Sequence, residues 1–210
     1  MTGIFRPGTI HANCDNLIAG GGGGGPATTW NPADILTTTL SNGNLSATGS
    51  ASGGGVRATN PRSAGKLVFE IGIGATGNWG GLTGYGLSNA AVPFGTVSGS
   101  TVGACICEAA IWINGSNTGQ SNGAFNLHSL ASMLAVDLGA HLFWLTASNN
   151  PGVWSNGGNP GAGTGGLSLA ALNAALYPVC TFNSATDPVF TLNVLGSFVN
   201  AVPSGFSAWG

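Results

Sequence analysis

Every apolar run in this chain is short, and each is closed by Gly, Asn, Ser or Pro. The runs are "LVFEIGI" (Leu67–Ile73), "ACICEAAIWI" (Ala104–Ile113), "LAVDL" (Leu134–Leu138), "HLFWLTA" (His141–Ala147), "YPVCTF" (Tyr177–Phe182) and "PVFTLNVL" (Pro188–Leu195). They are rich in Val, Ile, Phe, Trp and Thr, and several alternate apolar with polar residues, the period of a strand. Between them stand "SNGN", "SGGG", "INGSNTG", "SNNPG" and "SNGGNPG", all turn chemistry. Helical spacing shows only weakly, in "LSLAALNAAL". The pattern predicts an all-β fold, a two-sheet antiparallel β-sandwich. At 210 residues the chain suits one domain with a sizeable core.

One stretch argues for something else. In "WSNGGNPGAGTGGLSLAALNAAL" (Trp154–Leu176), Gly161, Gly163 and Gly166 satisfy G-x-G-x-x-G, and Asp187 follows about twenty positions on, the layout of a dinucleotide-binding loop. Glycine supplies 38 of the 210 residues, so such a string arises readily by chance. A dinucleotide fold also needs strands alternating with helices of ten or more residues, and the sequence has no such alternation. Asp187 moreover precedes Pro188 at the start of a strand, whereas the ribose carboxylate belongs at a strand's end. No cofactor is expected.

Charge narrows the classes further. The chain carries four Lys plus Arg (Arg6, Arg57, Arg62 and Lys66) and six Asp plus Glu, a net charge of −2. Nucleic-acid binding needs clustered cations to replace counterions, so it is not expected. Membrane insertion is not expected either, because no apolar run approaches eighteen residues. The N-terminus has no continuous apolar segment of the secretory kind. A surface so poor in charge has little self-repulsion, and such a chain suits a homo-oligomer or larger assembly.

Residues 1–29 read as an extended arm, and residues 30–210 as the sandwich. The arm contains six consecutive glycines, Gly20–Gly25, followed by Pro26. Contact with a neighbouring subunit would give it an ordered role. Of the four cysteines, Cys105 and Cys107 share one face of a strand. The four read either as buried thiols or as disulfide partners, the latter between chains through Cys14 in the arm; the sequence does not choose.

Catalytic constellations are sparse. Glu70 and Glu108 stand on strands, yet the glycosidase arrangement of paired carboxylates has no sequence counterpart here. His11, His128 and His141 lack a nucleophile elbow. Asp137, before Gly139, reads as a turn residue. Six acids are too few to predict a metal site. The candidate binding surface is therefore a loop surface of Trp79, Tyr85 and Trp154 with Asn156 and Asn159, where aromatic faces and amides could meet a sugar. The same aromatics would equally pin Gly-rich loops to the core. Trp112 and Trp144, inside strands, are expected in the core.

Several runs resemble one family. "SAGKLVFEIGI" (Ser63–Ile73) resembles the G-K-x-Y-F-E-v opening strand of SPRY domains, and "YGLSNA" (Tyr85–Ala90) the strand that follows. "LAVDLGAHLFWLTASNNPGVW" (Leu134–Trp154) is similar to the strand and hairpin with l-x-F-x-x-nG-x-x-W. "LYPVCTFNSATDPVFTLNVLGSFVNAVPSGFSAW" (Leu176–Trp209) is similar to the closing section, with its final P-x-G-F-x-x-W. The resemblance spans roughly residues 56–209. The segment W-x-x-G-G-x-P-x-x-G-x-G-G and the lead-in from Trp30 further resemble SPRY-like proteins of bacteriophages and prophages. The resemblance implies a SPRY, concanavalin-like jelly roll. It further implies a non-enzymatic virion structural protein, in a tail, neck or head appendage or a capsid decoration. Its partners would be other virion proteins, copies of itself and a host-surface glycan. A free-standing SPRY interaction module is the alternative, and a carbohydrate-active enzyme the remoter one.

Overall fold

The structure is a computed structural model, and it describes residues 27–81, 83–94, 103–108, 110–120, 128 and 130–210. Cys14 and nearly all of the predicted arm lie outside these residues. Thr28 and Thr29 are already tied to the sandwich: the Thr29 carbonyl accepts from the Thr59 amide at 2.8 Å, and Asn60 Nδ2 donates to Thr28 Oγ1 at 3.0 Å.

Strands are numbered in chain order. One sheet runs β1 (Trp30–Leu36), β4 (Gly54–Ala58), β13 (Tyr177–Phe182), β6 (Gly84–Ser88), β7 (Ala104–Cys107), β8 (Ile111–Ile113) and β9 (Ser116–Asn117). The other runs β12 (Leu167–Ser168), β11 (Leu142–Ala147), β10 (Ala131–Asp137), β5 (Lys66–Ile73), β14 (Phe190–Asn193), β3 (Ser46–Gly49) and β2 (Thr38–Ser41). All neighbours are antiparallel except β15 (Ser207–Ala208), which pairs parallel with the start of β5. The predicted run Ala104–Ile113 is two strands rather than one, folded back so that Cys105 faces Ile113. The next turn is the Asn-Gly hairpin the sequence signals: Asn114 (φ 49°) and Gly115 (φ 79°) are both left-handed, as a type I′ turn demands.

Strand alternation sorts the side chains into three apolar layers. Leu67, Phe69, Ile71 and Ile73 of β5 point between the sheets with Leu134, Val136, Phe143, Leu145, Phe190 and Leu192, against Val56, Tyr85, Leu87, Cys105, Cys107, Cys180 and Phe182 of the facing sheet. The opposite face of β5, β10 and β11 carries a second cluster of Val68, Met133, Ala135 and Trp144, covered by Leu142, Trp154, Phe198 and Phe206. A third, Val92, Phe94, Ala104, Ile106 and Val179, covers the outer face of the first sheet. Trp144 is core, as predicted. Trp112 is not: it sits between inward Ile111 and Ile113, so the pleat turns it outward and leaves it half-buried.

Polar side chains fasten these covers. Glu70, 1% exposed, accepts from the amides of Val199 (2.8 Å) and Asn200 (2.7 Å) and from Asn200 Nδ2 (2.8 Å), which holds Phe198 over the second cluster. Arg57 forks onto Asp34 (2.7 and 3.0 Å), donates to the Val92 carbonyl at 2.6 Å and stacks 4.3 Å from the Phe94 ring. Arg62 donates to the Trp209 carbonyl at 2.9 and 3.1 Å, while the Trp209 indole donates to the Asn60 carbonyl at 3.0 Å and meets Phe69 edge-on. Asp137 does form the turn: its Oδ1 accepts from the Ala140 amide at 2.9 Å, and Lys66 pairs with it across the strands at 3.3 Å.

Glu70→Gln turns an amide donor toward a backbone N–H that needs an acceptor. The expected cost is about 1–3 kcal/mol, read as a lower urea midpoint with an unchanged slope. A second expectation concerns alkali. Burial pushes the Cys107 and Cys180 thiols and the Tyr85 hydroxyl well above their ordinary values. The unfolded chain then releases protons that the folded chain keeps. Stability from these groups is full below the ordinary thiol value of 9.0 and falls as pH rises through it. Thermal unfolding followed from pH 7 to 10.5 should show this loss, with a shallower decline in Cys180→Ala.

Candidate functional site

The loop after β11 is built on one indole. Trp144 points to the outer face, where its Nε1 donates to the Thr164 carbonyl at 2.8 Å and Phe206 meets it edge-on at 6.2 Å. Gly158 and Gly166 lie flat against the ring: a Cβ on Gly158 would stand 2.6 Å from the indole Cδ1, and one on Gly166 2.7 Å from Cζ2. Ser155 Oγ accepts from the Leu145 amide at 3.1 Å and so closes the edge of β11. At the tip, Asn159 and Thr164 exchange both backbone hydrogen bonds (2.9 and 3.1 Å), and Asn159 Oδ1 accepts from the Ala162 amide at 3.1 Å.

The G-x-G-x-x-G string thus has three local explanations. Gly161 sits at the exposed tip, Gly163 (φ 69°) turns the chain left-handed, and Gly166 fits against Trp144. After them come the two-residue β12 and a single 3-10 turn at Ala170–Leu172, in place of a helix that could hold a phosphate. The weak helical spacing of "LSLAALNAAL" reflects Leu169, Leu172 and Leu176, all buried against the central core.

The five predicted loop residues do not form one surface. Asn156 and Asn159 are exposed on the indole-anchored loop, with Trp154 half-buried at its root against the second cluster. Asn156, left-handed at φ 57°, bonds through its amide to Gln120 Oε1 (3.1 Å) and through Nδ2 to the Gly165 carbonyl (3.3 Å). Tyr85 needs correction. It is a β6 residue with no exposure, and its hydroxyl donates to Ser132 Oγ at 2.7 Å across the core. Its position in β6, facing Cys107 and Cys180, turns it inward, away from any ligand. Trp79 is half-buried and packs edge-on to Phe190 at 5.7 Å, on the central core rather than beside Trp154. Two of the acids are committed to structure: Glu70 serves the 199–200 backbone, and Asp187 accepts from Thr83 Oγ1 (2.6 Å) and the Ser184 amide (2.9 Å). Among the described residues, no group of three His, Cys, Asp or Glu side chains is placed to hold a metal ion.

Next to the loop lies a feature that residue types alone do not single out. Between the β8–β9 hairpin and β12 runs a groove of about 360 Å³, with Ile113, Leu167 and Ala171 as its apolar lining and Asn114, Asn117 and Ser168 among its polar residues. It is bounded by the last strand of each sheet, and Gln120 links its hairpin side to the indole-anchored loop. The Asn-Gly turn is its only signal in the sequence, and a turn says nothing of what stands across from it.

No known family profile matches the sequence, and no curated protein matches it either. The fold is shared with solved SPRY domains. The SPRY domain of human HERC1 superposes with a TM-score of 0.60 at 17% identity, over 80% of this chain and 99% of that one. The PSpry domain of TRIM65 gives 0.51 at 15% identity, over 79% and 90%. The chain has a SPRY-like β-sandwich fold.

The loop's dependence on the indole is testable glycine by glycine. Gly166→Ala is expected to cost about 1–3 kcal/mol through overpacking. Gly161→Ala, whose Cβ would meet nothing nearer than 3.5 Å, should stay within about 0.5 kcal/mol in the same urea titration.

Proposed function

We propose that the protein is a non-catalytic structural subunit of a bacteriophage virion, present in many copies, whose sandwich binds its neighbours. The observation that carries this reading is how the few ionic groups are used. Asp34, Arg57, Arg62, Lys66, Glu70, Asp137 and Asp187 each join one backbone segment or strand to another. The exposed loops carry Asn, Ser, Thr and Gly instead, a surface suited to close apposition of many copies rather than to acid–base chemistry. The resemblance of the Trp154–Gly166 segment to phage and prophage SPRY-like proteins supports the virion setting. Host-surface glycan binding would fall to the exposed amides of Asn156 and Asn159.

The SPRY-like fold favours a second reading, a free-standing module that binds a protein segment on its loops. The two differ in self-association. Light scattering after size exclusion of the full chain at micromolar concentration should give a mass of several copies. A monomer that persists at tens of micromolar would overturn the structural-subunit reading in favour of the module.

A further inference from the structure

The two ends of the first sheet are unlike each other. At one edge the chain enters, through Ala27 to Thr29 into β1. At the other edge, β9 and β12 leave the groove between the two sheets uncovered by any further strand among the described residues. The strand register places both on one row. Trp30 lies opposite Ala58 on β4, and the row continues through Pro178, Leu87 and Cys105 to Ile113 and Ser116. Six strand steps separate them, roughly 29 Å at about 4.8 Å each.

The sequence ahead of β1 carries a segment of matching chemistry. In "TIHANCD" (Thr9–Asp15), Ile10, Ala12 and Cys14 alternate with Thr9, His11, Asn13 and Asp15. That is the period of a strand with one apolar and one polar face. The groove offers three apolar side chains, Ile113, Leu167 and Ala171, beside neutral polar ones. Its borders are edge strands, the places where sheets accept an added strand.

We propose that residues 9–15 of one copy dock into the β8–β9/β12 groove of a second copy. This rests on the reading of the chain as a self-assembling subunit. Reach favours the second copy over the first. Eleven residues, including Gly20–Gly25, separate Asp15 from Ala27. A Gly-rich segment of that length spans roughly 18 Å on average, well short of the roughly 29 Å across its own sheet. A neighbour whose groove edge abuts the β1 edge lies within reach. Donor edge and acceptor edge are opposite, so the contact is head-to-tail, and its repetition closes a ring or extends a filament.

Cys14 supplies the probe, because Ala171 in the groove is exposed while Cys105, Cys107 and Cys180 are buried. Full-length Ala171→Cys, oxidised with copper–phenanthroline and run without reductant, should give a ladder of linked copies that Cys14→Ser in the same background abolishes. Ile10→Asp, in the segment ahead of β1, should weaken self-association at least tenfold by light scattering. A disulfide from Cys14 to the cysteine introduced at position 171, found within single chains, would overturn docking between copies. Oligomers that keep their mass in Ile10→Asp, with no Cys14-dependent ladder, would overturn the groove as acceptor and leave the assembly reading standing. A full chain that is monomeric throughout would overturn both.

Discussion

Strand β5 is held on every side, and the rest of the molecule is registered against it. It pairs with β10 along nearly its whole length, with β14 over its second half and with β15 over its start. Its inward residues make the middle of the core, and its outward residues Val68 and Glu70 organise the cover. Because the pleat alternates strictly, a slip of one residue would place Glu70 between the sheets and Phe69 outside. Either error costs several kcal/mol, from an unpaired buried carboxylate and a lost aromatic core residue. Glu70 can remain buried on the outer face only because the 199–200 backbone supplies the donors it needs. The closing segment and the opening strand therefore depend on each other.

The scarcity of charge has a structural counterpart. In a chain with ten ionic side chains, a carboxylate or guanidinium used as a surface solubiliser is one fewer available for joining segments. Among the described residues they are found at joins: Arg57 where β4 meets the Val92 segment, Arg62 at the Trp209 carbonyl, Asp187 in the turn before β14. Each satisfies backbone groups that a loop crossing an apolar sheet would otherwise leave unpaired.

Much of this is legible in residue order. Alternation in Leu67–Ile73 and in His141–Ala147 yields the strands and the division of Phe143 and Leu145 from Trp144, because a period of two reads the face directly. Residue type misplaces Trp112 and Tyr85 for opposite reasons. Trp112 reads as core from its apolar ring, though its neighbours Ile111 and Ile113 already occupy the inner face. Tyr85 reads as part of a loop surface from its Gly neighbours, although the resemblance of "YGLSNA" already marks a strand there, and Gly84 and Gly86 stand inside β6. Gly86 keeps the strand continuous at φ 159°, where an added Cβ would strike the Cys105 carbonyl. The groove is illegible because its two walls, near residues 113–118 and 167–171, are brought together by two different sheets. Nothing in local sequence reports a meeting of that kind.

The indole beneath the glycine-rich loop has one more consequence. A run such as "SNGGNPGAGTGG" is ordinarily the most entropically free kind of chain, and ordering it on contact with a partner would consume much of the binding energy. Here Trp144 has done that ordering in advance, with a hydrogen bond at its nitrogen and two glycines stacked on its face. The loop combines the small side chains of a flexible linker with the fixed shape of a strand. Whatever it touches meets a stiff surface, so its contacts would be selective for shape despite the near absence of large side chains at the tip.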